Sequence, residues 1–268
     1  MFRVPIVAIS FFIMTPALIA IQWMLSRLRL PGWPTITVLY YRLLRRLFRV
    51  RVRIVGTPVR DHPVLIVANH SSWVDIILLG SIAPVAFIAK REVGEWPLIG
   101  RAAKAQRSVF VDRARRHQTA GAIAEIAQRL TEGTPVVLFA EGTSSDGNRV
   151  LQFRSALVGA ARDALAQAKP AQQILVQPLS ICYTRLQGLP MGRQHRPVVA
   201  WYGDLDFLPH LKEFIRRGAV DAVVTWGEPI AYDEATDRKM LVKSLEDTVR
   251  RLTATTLRGR PDPVGSAA

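Results

Sequence analysis

Val64-Leu65-Ile66-Val67-Ala68-Asn69-His70-Ser71-Ser72-Trp73-Val74-Asp75, running on through Ile76-Ile77-Leu78-Leu79, sets the fold class. The apolar run Val64–Ala68 has no polar side, as a strand covered on both faces must have none. The chain then turns at once into a helix, Ser72–Leu79, with Ser71 or Ser72 suited to its N-cap. A strand feeding straight into a helix is the unit of an α/β architecture. His70 falls at the mouth of the strand, and Asp75 follows where a carboxylate can return to the ring. Histidine titrates near neutrality, so an imidazole oriented in this way is a candidate general base. Alone, the pair reads first as a capping histidine beside a surface aspartate. Other clusters are needed to change that.

The same alternation runs onward. Strands are expected at Val50–Val55, Val85–Ala89, Ser108–Val111, Val136–Ala140, Ile174–Tyr183, Val198–Tyr202 and Ala219–Trp226. Helices are expected at Pro97–Ala105, His117–Thr131, Ser155–Ala168, Phe207–Arg216 and Asp237–Thr256. The reading is α/β: a mixed sheet covered by helices, with an N-terminal membrane-associated helical segment. Residues 1–49 are assigned to a membrane anchor and basic amphipathic segment, 50–257 to one domain, and 258–268 to a loose tail.

Ile6 to Leu25 carries no charge. At ~1.5 Å per residue, such a stretch is about long enough for a ~30 Å hydrocarbon core. Arg3 precedes it, and Arg27, Arg29, Arg42, Arg45, Arg46, Arg49, Arg51 and Arg53 follow, so the bulk of the chain is expected on the cytoplasmic face of the inner membrane. A cleaved signal peptide, with its usual apolar region of ~7–15 residues, and a buried helix are the rivals. Pro16 also leaves room for a bent, half-inserted hairpin. Val38 to Phe48 interleaves leucines with Arg42, Arg45 and Arg46 at helical spacing. That is either a basic amphipathic helix on an anionic bilayer or an ordinary surface helix.

Lys and Arg number 36 against 21 Asp and Glu, a formal charge of +15, so the partners are anionic. The uncharged N-terminal segment favours lipid over nucleic acid, for which no motif is present. Cys182 is the sole cysteine, which excludes an internal disulfide; it sits in an apolar strand pattern. The remaining histidines show no metal-ligand spacing, and no Gly-x-Ser-x-Gly elbow occurs.

Two further clusters stand at strand ends. Phe110-Val111-Asp112-Arg113 delivers a guanidinium able to grip a planar anion bidentately. Phe139-Ala140-Glu141-Gly142-Thr143 ends a buried strand on an acid, then a glycine that permits close backbone approach, then a hydroxyl. Taken alone, that sequence is usually a turn. Glu141 is suited to hold a hydroxyl-bearing acceptor or to pair with Arg113.

In order, NHSSWVD at 69–75, FVDR at 110–113, EGT at 141–143 and Val176-Gln177-Pro178 resemble the boxes of the glycerolipid acyltransferase family. Bacterial 1-acylglycerol-3-phosphate acyltransferases typify that family. Its boxes are NHX4D, an FIxR-type stretch, FPEGT and a Pro-containing fourth. The similarity covers roughly residues 50–230, and Phe87-Ile88-Ala89-Lys90 resembles the stretch between the first two boxes. The resemblance implies direct acyl transfer with no acyl-enzyme, no metal and no cofactor. His70, oriented by Asp75, would deprotonate an acceptor hydroxyl, which attacks an acyl thioester. Lys90, Arg113, Glu141, Gly142, Thr143 and Arg149 would bind substrate.

This chain departs from the family at two places. Ala140 replaces the usual Pro, and Ser144 stands where an Arg commonly follows EGT. The change removes one cation near an acceptor phosphate, which Arg149 can supply from the loop unless the acceptor carries no phosphate. The stretches EGTSSDGN and Trp201-Tyr202-Gly203-Asp204 resemble the bacterial lyso-ornithine lipid acyltransferase branch. Its acceptor is a zwitterion with a free hydroxyl, so lyso-ornithine lipid is the expected acceptor and lysophosphatidic acid the alternative. The acyl donor is acyl carrier protein or coenzyme A. Lys90, Arg91, Arg101, Lys104 and Arg107 form either a docking patch for the acidic carrier protein or a face for anionic lipid. A non-enzymatic lipid-binding protein would tolerate a broken His/Asp pair, and here both members are present.

Overall fold

In a computed structural model, the described residues are 3–28, 32–111, 116–168, 173–232 and 237–259. The helices are α1 (Arg3–Arg27), α2 (Trp33–Leu47), α3 (Val74–Ile82), α4 (Arg91–Glu95), α5 (Ile99–Ala105), α6 (Arg116–Thr131), α7 (Ser155–Gln167), α8 (Phe207–Arg217) and α9 (Arg238–Leu257). The strands are β1 (Val50–Val55), β2 (Val64–Ala68), β3 (Ala86–Lys90), β4 (Val109–Val111), β5 (Val136–Phe139), β6 (Leu175–Leu186), β7 (Leu189–Pro190), β8 (Val220–Trp226) and β9 (Ile230–Ala231). They form one sheet in the order β1-β8-β6-β2-β5-β3-β4, with β7 and β9 flanking β6. From β6 through β4 the strands are parallel, whereas β8 runs antiparallel to β6 and carries β1 parallel to itself.

β2 lies near the middle of this sheet and every one of its residues is buried. Val64, Ile66 and Ala68 point into one apolar cluster, and Leu65 and Val67 into another. The period-two alternation of a strand divides them, and helices on both faces explain why no polar residue is tolerated there. The first cluster is closed by α1, α2, α3 and α8, through Val7, Leu18, Tyr41, Leu44, Leu78 and Phe214. The second is closed by α6, α7 and α9, through Ile126, Leu130, Leu165, Leu245 and Val249.

α1 is long and apolar enough to cross a membrane, and Pro16 lies within it. It does not stand clear of the sheet. Thr15 Oγ1 and Tyr40 OH are 2.8 Å apart, and Gln22 Nε2 donates to Thr37 Oγ1 at 2.6 Å, tying α1 to α2. Its other side leaves Ile9 60% and Phe12 67% exposed. On α2, Arg42 Nε donates to Ser81 O and Arg45 Nη1 to Val50 O. Those two arginines therefore grip backbone, while Arg46 is exposed beside the exposed Leu39 and Leu43.

One expected strand is absent. Among the described residues Val198–Tyr202 pairs with no strand; a 3-10 turn, Arg193–Val198, precedes Val199 and Ala200, whose N–H groups both donate to Arg196 O. Val199 and Ala200 are buried without a ladder, and periodicity alone does not distinguish that from pairing. The expected Phe207–Arg216 helix forms as α8. It buries Phe214 and Ile215 and leaves Leu208 exposed, so it serves the core on one side only.

Candidate active site

β2 stops at Ala68, but its neighbour β6 continues, so Ile181 loses its ladder partner on that side. Asn69 supplies one. Its Nδ2 donates to Ile181 O at 2.9 Å and its Oδ1 accepts from Ile181 N at 2.8 Å. An amide side chain thereby stands in for backbone, as a buried peptide group requires. This fixes the departure angle of the next residue, His70.

Asp75 is the second residue of α3 and is fully buried. Its Oδ2 accepts from Ser71 N at 2.8 Å, from Ser72 N at 3.0 Å and from His70 Nδ1 at 2.8 Å. Its Oδ1 accepts from Tyr183 OH at 2.6 Å. Asp75 thus caps the turn by reaching back to the serines, and Ser72 Oγ reaches forward to accept from Val74 N at 3.3 Å. Burial, then the adjacent Asp75, pushes the Tyr183 phenol well above its ordinary range, so its proton stays available to Asp75.

His70 Nδ1 is committed to Asp75, which sets the tautomer and leaves Nε2 as the ring nitrogen able to take a proton. The ring retains 19% exposure and stacks on Phe139, centroids 4.1 Å apart at 21°. Phe139 stacks in turn on Phe87 at 6.0 Å. The imidazole therefore has one face on an aromatic wall and one nitrogen held by a buried acid.

Glu141 lies behind this ring. Its Oε1 accepts from His70 N at 3.0 Å and its Oε2 from Leu151 N at 3.1 Å. With 1% exposure and both oxygens on backbone N–H groups, it braces the site from inside. Burial pushes its carboxyl up to about 8, against the pull of those two N–H groups. Gly142 follows at φ 72°, the left-handed region that glycine enters without strain, and so turns the chain sharply off β5. Ser145 N then donates to His70 O at 2.9 Å, Ser144 Oγ donates to Trp201 O, and Trp201 N donates to Ser71 O at 2.8 Å. The loop 141–149 and the segment 199–203 are thus sewn to both sides of the His70 turn. Trp201 also joins Trp96, Phe207 and Trp73 in edge-to-face and tilted contacts of 5.4–6.5 Å beside it.

Of the residues expected from sequence, His70, Asp75, Glu141 and Gly142 come together. Thr143 and Arg149 lie in the loop after β5, both exposed. Lys90 ends β3, exposed, at the start of α4. Arg113 lies outside the described residues. Asp146, weighed as a headgroup acid, accepts from Asn148 N and Nδ2 at 2.9 and 3.1 Å. Arg107 of the basic patch pairs with Glu132. Cys182 is buried, and burial pushes its thiol up to about 11. Among the described residues no His, Cys, Asp and Glu cluster is arranged to hold a metal.

A family model described as Acyltransferase matches residues 49–182, which contain β2, the His70 turn, Asp75 and the Glu141 loop. The chain belongs to the acyltransferase family. A lyso-ornithine lipid O-acyltransferase of Brucella abortus is 45% identical over 262 residues, 97% of each chain. One from Rhizobium meliloti is 43% identical over 237 residues, 85% of this chain and 81% of that one. The acyltransferase fold also matches the crystal structure of the 1-acyl-sn-glycerophosphate acyltransferase PlsC from Thermotoga maritima. The TM-score is 0.56 at 21% identity, with 94% of this chain and 99% of that one covered.

Three residues of this acyltransferase site escaped the reading of the sequence as functional. Asn69 was visible inside the NHSSWVD box but only as a neighbour of His70. Tyr183 sits in an apolar strand run where a buried phenol looks like core. Ser145 acts through its backbone N–H, which no side-chain pattern can announce.

Proposed function

We propose that this acyltransferase moves a fatty acyl group from a thioester donor to the free hydroxyl of lyso-ornithine lipid, giving ornithine lipid. The observation that carries this is the 2.8 Å bond from His70 Nδ1 to a fully buried Asp75. It leaves Nε2 to accept the hydroxyl proton as the oxygen attacks the thioester carbonyl. The tetrahedral oxyanion collapses, the C–S bond breaks, and the thiolate leaves with the proton from His70. The reaction so written involves no covalent enzyme intermediate, no metal and no cofactor. Asp75 stabilises the imidazolium in between, and Tyr183 and the two serine N–H groups hold Asp75 in place.

The acceptor assignment is supported by the names of the Brucella and Rhizobium relatives and by Ser144 at the position where an Arg commonly follows EGT. Arg113, Thr143 and Arg149 are assigned to the acceptor headgroup, and Lys90 to the donor side. The donor is acyl carrier protein or coenzyme A, the former drawn to the exposed Lys90, Arg101 and Lys104. The apolar face of α1 holds the protein at the inner membrane with the site on its cytoplasmic face. Purified protein given each donor with each acceptor should acylate lyso-ornithine lipid faster than lysophosphatidic acid. Acylation of lysophosphatidic acid alone would overturn the acceptor assignment.

A further inference from the structure

Away from His70, β1, β8 and the far end of β6 enclose a cleft of about 570 Å3 with the end of α9. Arg51 pairs with Asp221 between β1 and β8, and Asp221 with Arg185 between β8 and β6. These three side chains therefore form a row across three strands. Arg53 and Arg196 also line the cleft, so its lining holds four arginines and one carboxylate. Arginines on an edge strand commonly protect it from pairing with another chain. That accounts for Arg51 and Arg53 but not for Arg196, which is only 9% exposed. Arg196 Nη1 donates to Asn148 Oδ1 at 2.7 Å, while its Nε is buried with no partner among the described residues. Thr256, at the end of α9, lines the same cleft with its Oγ1 likewise buried and unpartnered among the described residues. Buried polar atoms without partners carry a free-energy cost, and two in one cationic cleft mark a place where a polar ligand would supply them.

The strands' alternation says which side this cleft faces. Val50, Val220, Ala222 and Val224 point into the cluster closed by α1, α2 and α8. Arg51 and Asp221 alternate with them and so point the other way, to the side where α9 packs on β6 through the bond between Thr253 and Ser180. The cleft thus opens away from the apolar helix α1, and a headgroup still in the bilayer would approach from the wrong side. We propose that this cleft binds the phosphate group of a soluble ligand, its oxygens received by the arginine forks and by Thr256. Through Arg196 and Asn148 the site touches the loop whose Ser145 N–H holds His70 O.

Two sources supply that chemistry. One is the nucleotide end of a coenzyme A thioester, which rests on the acyl-transfer reading above; the other is free phosphate. Calorimetric titration of the detergent-solubilised full chain with adenosine 3′,5′-bisphosphate, and separately with inorganic phosphate, reads binding without turnover. Failure of acyl transfer therefore leaves this result standing. Saturable binding is expected, weakened by at least about tenfold in the double variant Arg51→Gln, Arg185→Gln, as loss of charge-assisted hydrogen bonds implies. Tighter binding of the bisphosphate identifies the nucleotide end, and equal binding identifies a free-phosphate site. No saturable binding of either probe, or binding unchanged in the double variant, overturns the proposal.

Discussion

Tyr183 and Glu141 stand at one remove from the His70 ring, the first on Asp75 and the second on the His70 backbone. Tyr183 donates to the Asp75 oxygen that His70 does not use, so its loss leaves a buried carboxylate short of one donor. Tyr183→Phe is expected to lower kcat about tenfold, the worth of one hydrogen bond to a charged group, with KM for both substrates nearly unchanged. A matching rise in KM would mean that the phenol shapes the substrate pocket instead. Glu141 makes its own prediction about pH. Its folded value of about 8 exceeds the ordinary carboxylate value of 4.5, so the folded protein binds more protons than the unfolded chain between them. Raising pH through that window therefore costs stability. Thermal unfolding followed from pH 5 to 8 should show Tm falling with pH, and Glu141→Gln should flatten that slope. The amide cannot accept both backbone N–H groups, so the same variant should also lose activity. A slope equal to that of the unsubstituted protein would show that Glu141 is not the group responsible.

Among the elements, α3 carries Asp75 and α2 sets its position. Gly80 of α3 lies so close to the Tyr41 ring that an added Cβ would meet it at 2.6 Å. Tyr41 OH donates to Gln106 Oε1, which anchors the ring and denies it room to yield. Gly80→Ala should therefore destabilise the protein by about 1–3 kcal/mol, read as a lower Tm. A Tm within error of the unsubstituted protein would show that the helices part easily. This contact was not legible in the sequence, because Gly80 there is one apolar-run residue among several. β1 and β2 were legible to the residue, β1 from Val50, Val52 and Ile54 alternating with Arg51 and Arg53, and β2 from an uninterrupted apolar run bounded by turn residues. Val198–Tyr202 was misread for the same reason: Val199 and Ala200 are buried there without a ladder. The His/Asp pair was legible because both members are side chains at fixed spacing. The brace behind it was not, because it is made largely of backbone donors.

At the scale of the whole molecule the two faces of the sheet differ. One carries α1, α2 and α8, with Ile9, Phe12, Leu39 and Leu208 exposed, and His70 stacks on Phe139 of the cluster beneath them. The other is covered by α6, α7 and α9 and bears the arginine cleft. Under the function proposed above, the lipid acceptor meets the first side and a water-soluble donor the second. On that proposal the formal charge of +15 serves an anionic donor and an anionic membrane surface together. The central claim is that His70 is the base that makes this surface catalytic. The direct measurement is transfer of a labelled acyl group to lyso-ornithine lipid by purified protein and its His70→Ala variant, with Tm recorded for both. A loss of about 10²–10⁴-fold in kcat at unchanged Tm is the expected result. Turnover near that of the unsubstituted protein in a folded His70→Ala variant would contradict the account.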